Sequence, residues 1–387
     1  MGILANAEGG HLGGWILIAN FAVLILFDMP YYYPLKRLNK EERMRTVNNL
    51  LRLRNQLDSE VPQKTANDTL LLATWNIRKF GDNRLLESLF YIAEIVSRFD
   101  LVAVQEVSAN LKGLEKLLFL LGNDWDYIVT DSTDGSAGGG ERLAFVYDKS
   151  KVCFKKMAGE IVLPLDKLID GKLQFARTPY TVSFQAGWFK FILTPVHIFY
   201  GSTAAIDKKK REKEIDMLTS ILSKRAKKEN VSYILIGDFN IPDVQDNTMK
   251  ALEKYGFSVP EAIKEHPSDL GATKHYDQIA FNLKLDDRMT LFSETEQKAG
   301  AFNFAKTVYT TEELDSYRKY FLDKVTGKSE KDIEKYYLSS WRTFEMSDHL
   351  PLWVELKSVT LRKISSRLLK NCVNRRIKIF CSSAVER

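Results

Sequence analysis

"YILIGDFNIPD", residues 233–243, holds an apolar run that stops abruptly at Gly237-Asp238-Phe239-Asn240. Four consecutive apolar residues, Tyr233, Ile234, Leu235 and Ile236, read as a strand buried on both faces. Its end carries a carboxylate and a carboxamide two residues apart. Side chains alternate along a strand, so Asp238 and Asn240 are expected on one side of the chain and Phe239 in the core. Polar groups anchored this way need partners, and working outward along the chain supplies them.

The same pattern recurs. "LLLATWN" ends at Asn76, "LVAVQE" at Glu106 and "LTPVH" at His197. "HYDQIAF" places Asp277 just before a strand, and "MSDHLPLW" places Asp348 and His349 before the last one. Taken singly, an Asn or Asp at a strand end is ordinary turn chemistry, and a lone His is most simply structural. Six placements in succession argue for a site.

The chain has 387 residues, 45% of them hydrophobic and 27% charged, which suits one large or two medium globular domains. Its 11% aromatic content excludes a wholly disordered chain. The three cysteines, Cys153, Cys372 and Cys381, show no metal-ligand spacing and read as reduced thiols of a cytosolic-type protein. The net charge of +6 sits in the C-terminal tail, where residues 361–387 hold eight Lys/Arg against one acid. The remainder is close to neutral, so overall charge does not identify a partner.

Residues 1–28 form an apolar N-terminal extension whose core, residues 15–27, is shorter than the roughly 20 residues needed to cross a bilayer. No Lys or Arg precedes it, unlike a secretory signal. It reads as an extension packed on the domain or as a start codon placed ahead of Met29. The alternative is a membrane anchor through residues 13–27, with Lys36 and Arg37 keeping the rest cytoplasmic. The expected location is accordingly cytoplasmic, with the anchored form as alternative. Residues 29–68 form a helical lead-in, with Met44, Val47, Leu50, Leu51 and Leu57 on one face. Strands are expected at 69–75, 101–104, 142–147, 180–184, 189–196, 233–237, 278–282 and 352–356, and helices at 84–98, 111–121 and 208–228. Residues 295–342 read as a helical insertion into a domain spanning 69–357, either a substrate-facing flap or a surface decoration. The basic tail, 358–387, reads as a solvated end or as an amphipathic helix for nucleic acid or acidic lipid. The glycine-rich stretch 131–140 lacks a P-loop ending and reads as a loop beside the site. The basic run "DKKKREKE", 207–214, reads as a solvated helix start, with DNA steering as the alternative.

The motifs "WN", "QE", "GDFN" and "SDHLP", in this order across residues 69–357, resemble those of the endonuclease/exonuclease/phosphatase superfamily, the DNase I-like fold. The resemblance implies an α/β architecture: a four-layer α-β-β-α sandwich, two packed and mostly antiparallel sheets flanked by helices, with the site where strand ends of both sheets meet. "GERLAFVYD" with Glu141 and Arg142, "FARTPYTVSF" with Arg177, and "TPVHIFYGS" with His197 look like the site of pancreatic-type deoxyribonuclease. Bacterial family members share this site type. Abasic-site repair enzymes instead place a Tyr where His197 stands. Some lipid and inositol phosphatases also carry His there, which keeps that substrate class open.

Phosphodiester hydrolysis needs an activated water, charge neutralisation and help for the leaving oxygen. Glu106, Asn76 and Asp348 are the expected ligands of Mg²⁺ or Mn²⁺, hard ions that favour carboxylate and carbonyl oxygen. The resemblance implies two carboxylate–imidazole pairs, Asp277 with His349 and Glu141 with His197, one activating water and the other serving the leaving oxygen. It also implies Asp238 at the attacking water, with Asn240, Arg177 and Arg142 at the phosphate. The expected function is a divalent-metal-dependent phosphodiester hydrolase, an endonuclease on DNA acting as a monomer. Alternatives are a phosphatase or phosphodiesterase on a lipid head group or small phosphoester, and a non-catalytic interaction module.

Overall fold

A computed structural model describes residues 30–66, 68–133, 139–169, 171, 174–284, 287 and 298–357. The expectations for residues 1–28, for the tail and for the centre of the glycine-rich stretch lie outside these. Location is corrected. No helix among the described residues is long and apolar enough to cross a membrane, and nothing positively assigns the chain to the cytoplasm.

Two sheets carry the fold. The six-stranded sheet runs β10 (Lys298–Ala301), β11 (Leu352–Lys357), β1 (Thr69–Phe80), β2 (Leu101–Ser108), β4 (Glu141–Asp148), β3 (Trp125–Val129). The five-stranded sheet runs β5 (Val152–Glu160), β6 (Tyr180–Ala186), β7 (Phe189–His197), β8 (Ser232–Asp238), β9 (Asp277–Asn282). Each sheet has one parallel pair, β1 with β2 and β7 with β8; the other pairs are antiparallel. A parallel pair requires a crossover, and a helix supplies it in each case. Helix α2 (Leu86–Val96) joins β1 to β2, α3 (Lys112–Leu121) follows β2, and α4 (Ala205–Glu229) joins β7 to β8.

Alternation assigns the faces. In β1, Leu70 and Leu72 pack in the core between the sheets, whereas Leu71, Ala73 and Trp75 pack under the outer helices. Ile215, Leu218 and Leu222 of α4 cover the far side of the second sheet, with Met249 and Leu252 of α5 (Asn247–Glu253) beside them. The layers are helix, sheet, sheet, helix.

Two expectations about the outer layer change. The buried face of α1 (Lys40–Glu60) carries Leu50, Leu53 and Leu57 with Thr46, Asn49 and Gln56, while Met44, Val47 and Leu51 are exposed. Polar residues can occupy that face because they find partners there. Gln56 Nε2 donates to the Asn303 carbonyl at 2.9 Å, and Gln56 Oε1 accepts from Thr307 Oγ1 at 2.8 Å. The insertion is neither flap nor decoration over its described length. Phe302, Phe304, Tyr309, Tyr317, Tyr337 and Trp341 are buried in the same core as α1, α2 and the outer face of the first sheet.

Candidate active site

Pairing register sets three site residues in one row. His197 at the end of β7 pairs with Asp238 at the end of β8, which pairs with Asp277 at the start of β9. All three are buried. Ile234, Ile236 and Asp238 share one face of β8. Gly237 separates them at φ +133°, where a Cβ would stand 2.3 Å from the Val196 carbonyl oxygen. Only glycine fits there.

The first sheet supplies the facing side. Asn76 ends the inter-sheet row begun by Leu70 and Leu72, and its Nδ2 donates to Asp238 Oδ2 at 3.1 Å and to Glu106 Oε1 at 3.0 Å. Simple alternation from Val102 and Val104 would send Glu106 to the helix side. A bulge prevents this. Pairing of β2 shifts between Val104 and Val107, and Glu106 takes φ +59°. The re-aimed, half-buried carboxylate is fixed by the Lys79 N–H at 2.9 Å as well as by Asn76.

The two imidazoles flank Asp238. His197 Nε2 lies 3.6 Å and His349 Nε2 3.9 Å from Asp238 Oδ2. Behind His349, Asp277 Oδ2 is hydrogen-bonded to Nδ1 at 2.7 Å. Behind His197, Glu141 Oε2 lies 3.2 Å from Nδ1, off the hydrogen-bond direction, and accepts from Arg177 Nε at 2.8 Å. Burial alone would lower the His349 pKa. The charges of Asp277 and Asp238, the Asp277 hydrogen bond and the nearby Asp348 outweigh it and push the pKa up to about 10. Burial raises the Glu141 pKa, but His197 and Arg177 together hold it below the ordinary value.

Asn76, Glu106, Glu141, Arg177, His197, Asp238, Asp277 and His349 therefore form one connected constellation. Asn240, at φ +53°, joins it through its backbone N–H, which donates to Asp238 Oδ1 at 2.8 Å, while its Nδ2 donates to the Ile198 carbonyl. Arg142 stands apart. The Arg142 guanidinium donates to the carbonyls of Ala109 and Thr130 and to Asp131. It points away because Ala144 and Val146, its even-numbered companions on β4, face the helices. Asp348 is exposed beside the site, close enough for its charge to act on His349, and its backbone carbonyl accepts from Leu270 N–H. Among the described residues, two groups have ligand atoms within 4.8 Å of one another: Glu106, Glu141 and His197, and Asp238, Asp277 and His349.

Sequence reasoning missed two serines. Ser268 Oγ donates to Asp277 Oδ2 at 2.7 Å, and Ser347 Oγ donates to the Asn76 carbonyl while accepting from His349 N–H. Ser347 opens the "SDHLP" motif, a signal that was available. Trp75 Nε1 adds a bond to the His349 carbonyl at 2.9 Å.

A model of the Endonuclease/Exonuclease/phosphatase family matches residues 73–286, more than half of the chain. That stretch contains the site residues from Asn76 to Asp277 and ends before Asp348 and His349. Deoxyribonuclease-1 of Rattus norvegicus is 31% identical over 188 residues, covering 44% of this chain and 60% of that protein. The chain thus spans about 60% of that relative's length. Among solved structures, a humanized D. rerio TDP2 aligns over 76% of this chain and 99% of its own, at 14% identity and a TM-score of 0.47. A mannosyl-6-phosphatase of Bacteroides thetaiotaomicron aligns over 74% and 99%, at 16% identity and a TM-score of 0.47.

Proposed function

The chain belongs to the endonuclease/exonuclease/phosphatase family, and from that premise we propose that it is a divalent-metal-dependent phosphodiester hydrolase that nicks DNA. One observation carries the reading: Asp238 Oδ2 stands within 3.1–3.9 Å of Asn76, His197 and His349, side chains drawn from both sheets and from the loop before the last strand. The similarity to deoxyribonuclease-1 favours DNA over other phosphodiesters.

The residues suit a hard cation. Glu106 offers a half-buried carboxylate, and Asn76 Oδ1 is buried with no hydrogen-bond partner. Mg²⁺ or Mn²⁺ held by Glu106 and Asn76 would neutralise phosphate charge and ease departure of the leaving oxygen. The chain's own groups do the rest. Asp238 orients the attacking water and draws its proton toward the flanking imidazoles. As the water oxygen bonds to phosphorus, the bond to the leaving oxygen breaks, and one imidazole returns a proton to that oxygen. His349, kept cationic by Asp277, suits the donor role, and His197, backed by Glu141, suits the acceptor role. Arg177, anchored to Glu141, adds fixed positive charge at the phosphate, and Asn240 has a second amide proton for a non-bridging oxygen.

The test is nicking of supercoiled plasmid by the full chain with Mg²⁺, run beside phosphate release from lipid and soluble phosphoesters. Nicking that chelation abolishes is expected, with most turnover lost in Glu106→Ala and His197→Ala. Phosphate release without nicking would replace DNA with a small phosphoester. No reaction and no Mg²⁺ or Mn²⁺ binding by calorimetry would leave a non-catalytic module.

A further inference from the structure

Helix α4 carries two buried charges that the chemistry above does not use. Arg211 and Glu214 are 2% and 3% exposed, three residues apart and so on one helix face. They come from the basic run that looked like a solvated helix start. Instead they face inward.

Arg211 spends its guanidinium on four main-chain carbonyls. Nε donates to Phe199 at 3.1 Å, Nη1 to Asn240 at 2.6 Å, and Nη2 to Tyr200 at 2.7 Å and Ser202 at 3.4 Å. Glu214 does the converse: Oε1 accepts from the Ala176 N–H at 2.9 Å and Oε2 from the Phe199 N–H at 3.0 Å. Phe199 is held at both its polar groups. The bonds end on three segments, and each carries a site residue. Residues 198–202 follow directly from His197, Ala176 precedes Arg177, and Asn240 is itself in the site. Direct bonds tie the same parts, from Ile198 N–H to the Asp238 carbonyl at 2.8 Å and from Asn240 Nδ2 to the Ile198 carbonyl at 2.8 Å.

Burying a charge is costly unless hydrogen bonds compensate it. Here the compensation falls wholly on irregular backbone around the site, where no sheet ladder is available. We infer that Arg211 and Glu214 are positioning residues, holding the His197 segment, Asn240 and the Arg177 segment at fixed separations around the scissile phosphate. This rests on the hydrolase reading. Neither residue touches the reacting atoms; each acts through the backbone it grips.

Glu214→Gln and Arg211→Lys test it in the full chain. Gln turns one acceptor oxygen into an amide that cannot accept from a backbone N–H. Lys keeps the charge and loses the fork. Plasmid nicking with Mg²⁺ should show kcat lowered about tenfold or more with KM little changed, because misplacing a catalytic group slows chemistry more than binding. ¹⁵N spectra of the imidazoles should show the His197 signal shifted and that of His266 in place. Unchanged kcat in both variants of an active enzyme overturns the inference. So does failure of both variants to fold, since that makes the pair structural. If only Arg211→Lys fails to fold, Glu214→Gln decides alone. A wild type inactive on every phosphodiester defeats the hydrolase reading separately. The His197 signal then decides the brace: a shift supports it, and an unmoved signal overturns it.

Discussion

At Gly237 the chain leaves the conformations open to other residues, between a buried strand and the carboxylate of Asp238. Gly237→Ala should lose at least about 1–3 kcal/mol of stability to strain, read by denaturant unfolding, and should displace Asp238. His349 makes a second prediction. Its pKa rises from 6.5 to about 10 on folding, with burial opposing and Asp277 and Asp238 prevailing. The folded state therefore holds this proton more tightly than the unfolded state. The resulting stability is complete below pH 6.5 and is lost as pH climbs toward about 10. Unfolding of the metal-free chain across that window should show the decline, and His349→Gln should flatten it. Within the candidate site, Asn76, Glu106, His197 and Asp238 were legible because they end apolar runs, and Asp277 and His349 because they stand just before strands. Glu106 was legible in kind but not in aim, since period-two alternation does not reveal a bulge. Arg142 was misread because it adjoins Glu141, although neighbouring strand residues face opposite ways. Arg211 and Glu214 stayed hidden because their partners are backbone groups of other segments, and Ser268 because a serine nine residues before Asp277 belongs to no motif.

Among the elements, the strands read from sequence include every central strand of both sheets. Those missed, β3, β5 and β10, lie at sheet edges. A central strand buried on both faces must be apolar throughout, whereas an edge strand such as "VCFKKMAGE" of β5 is largely exposed and carries little pattern. The register of α1 failed for a related reason: hydrophobicity was counted, but Asn49 and Gln56 are buried through hydrogen bonds. The observed register gives a contrast between two leucines. Leu53, 0% exposed, should cost about 2–5 kcal/mol when changed to Ala. Leu51, 54% exposed, should change stability by roughly 0.5 kcal/mol or less. Thermal or urea unfolding of the two variants checks the assignment.

Across the whole molecule, the two sheets bring their strand ends together at Asp238, and the outer helices and the insertion pack on the far face of the first sheet. Trp341 shows how far the insertion has become core: its ring lies 5.1 Å from Tyr309 and 5.4 Å from Tyr337. Trp341→Ala should lose about 3–5 kcal/mol, seen as a lowered melting temperature, although Trp341 takes no part in the chemistry. A flap would have tolerated the change. The convergence itself is tested most directly at its hub, by the rate at which purified Asp238→Asn nicks plasmid DNA with Mg²⁺ relative to wild type. The account predicts a folded protein slowed roughly 10²–10⁴-fold. A folded Asp238→Asn that nicks at the wild-type rate would contradict it.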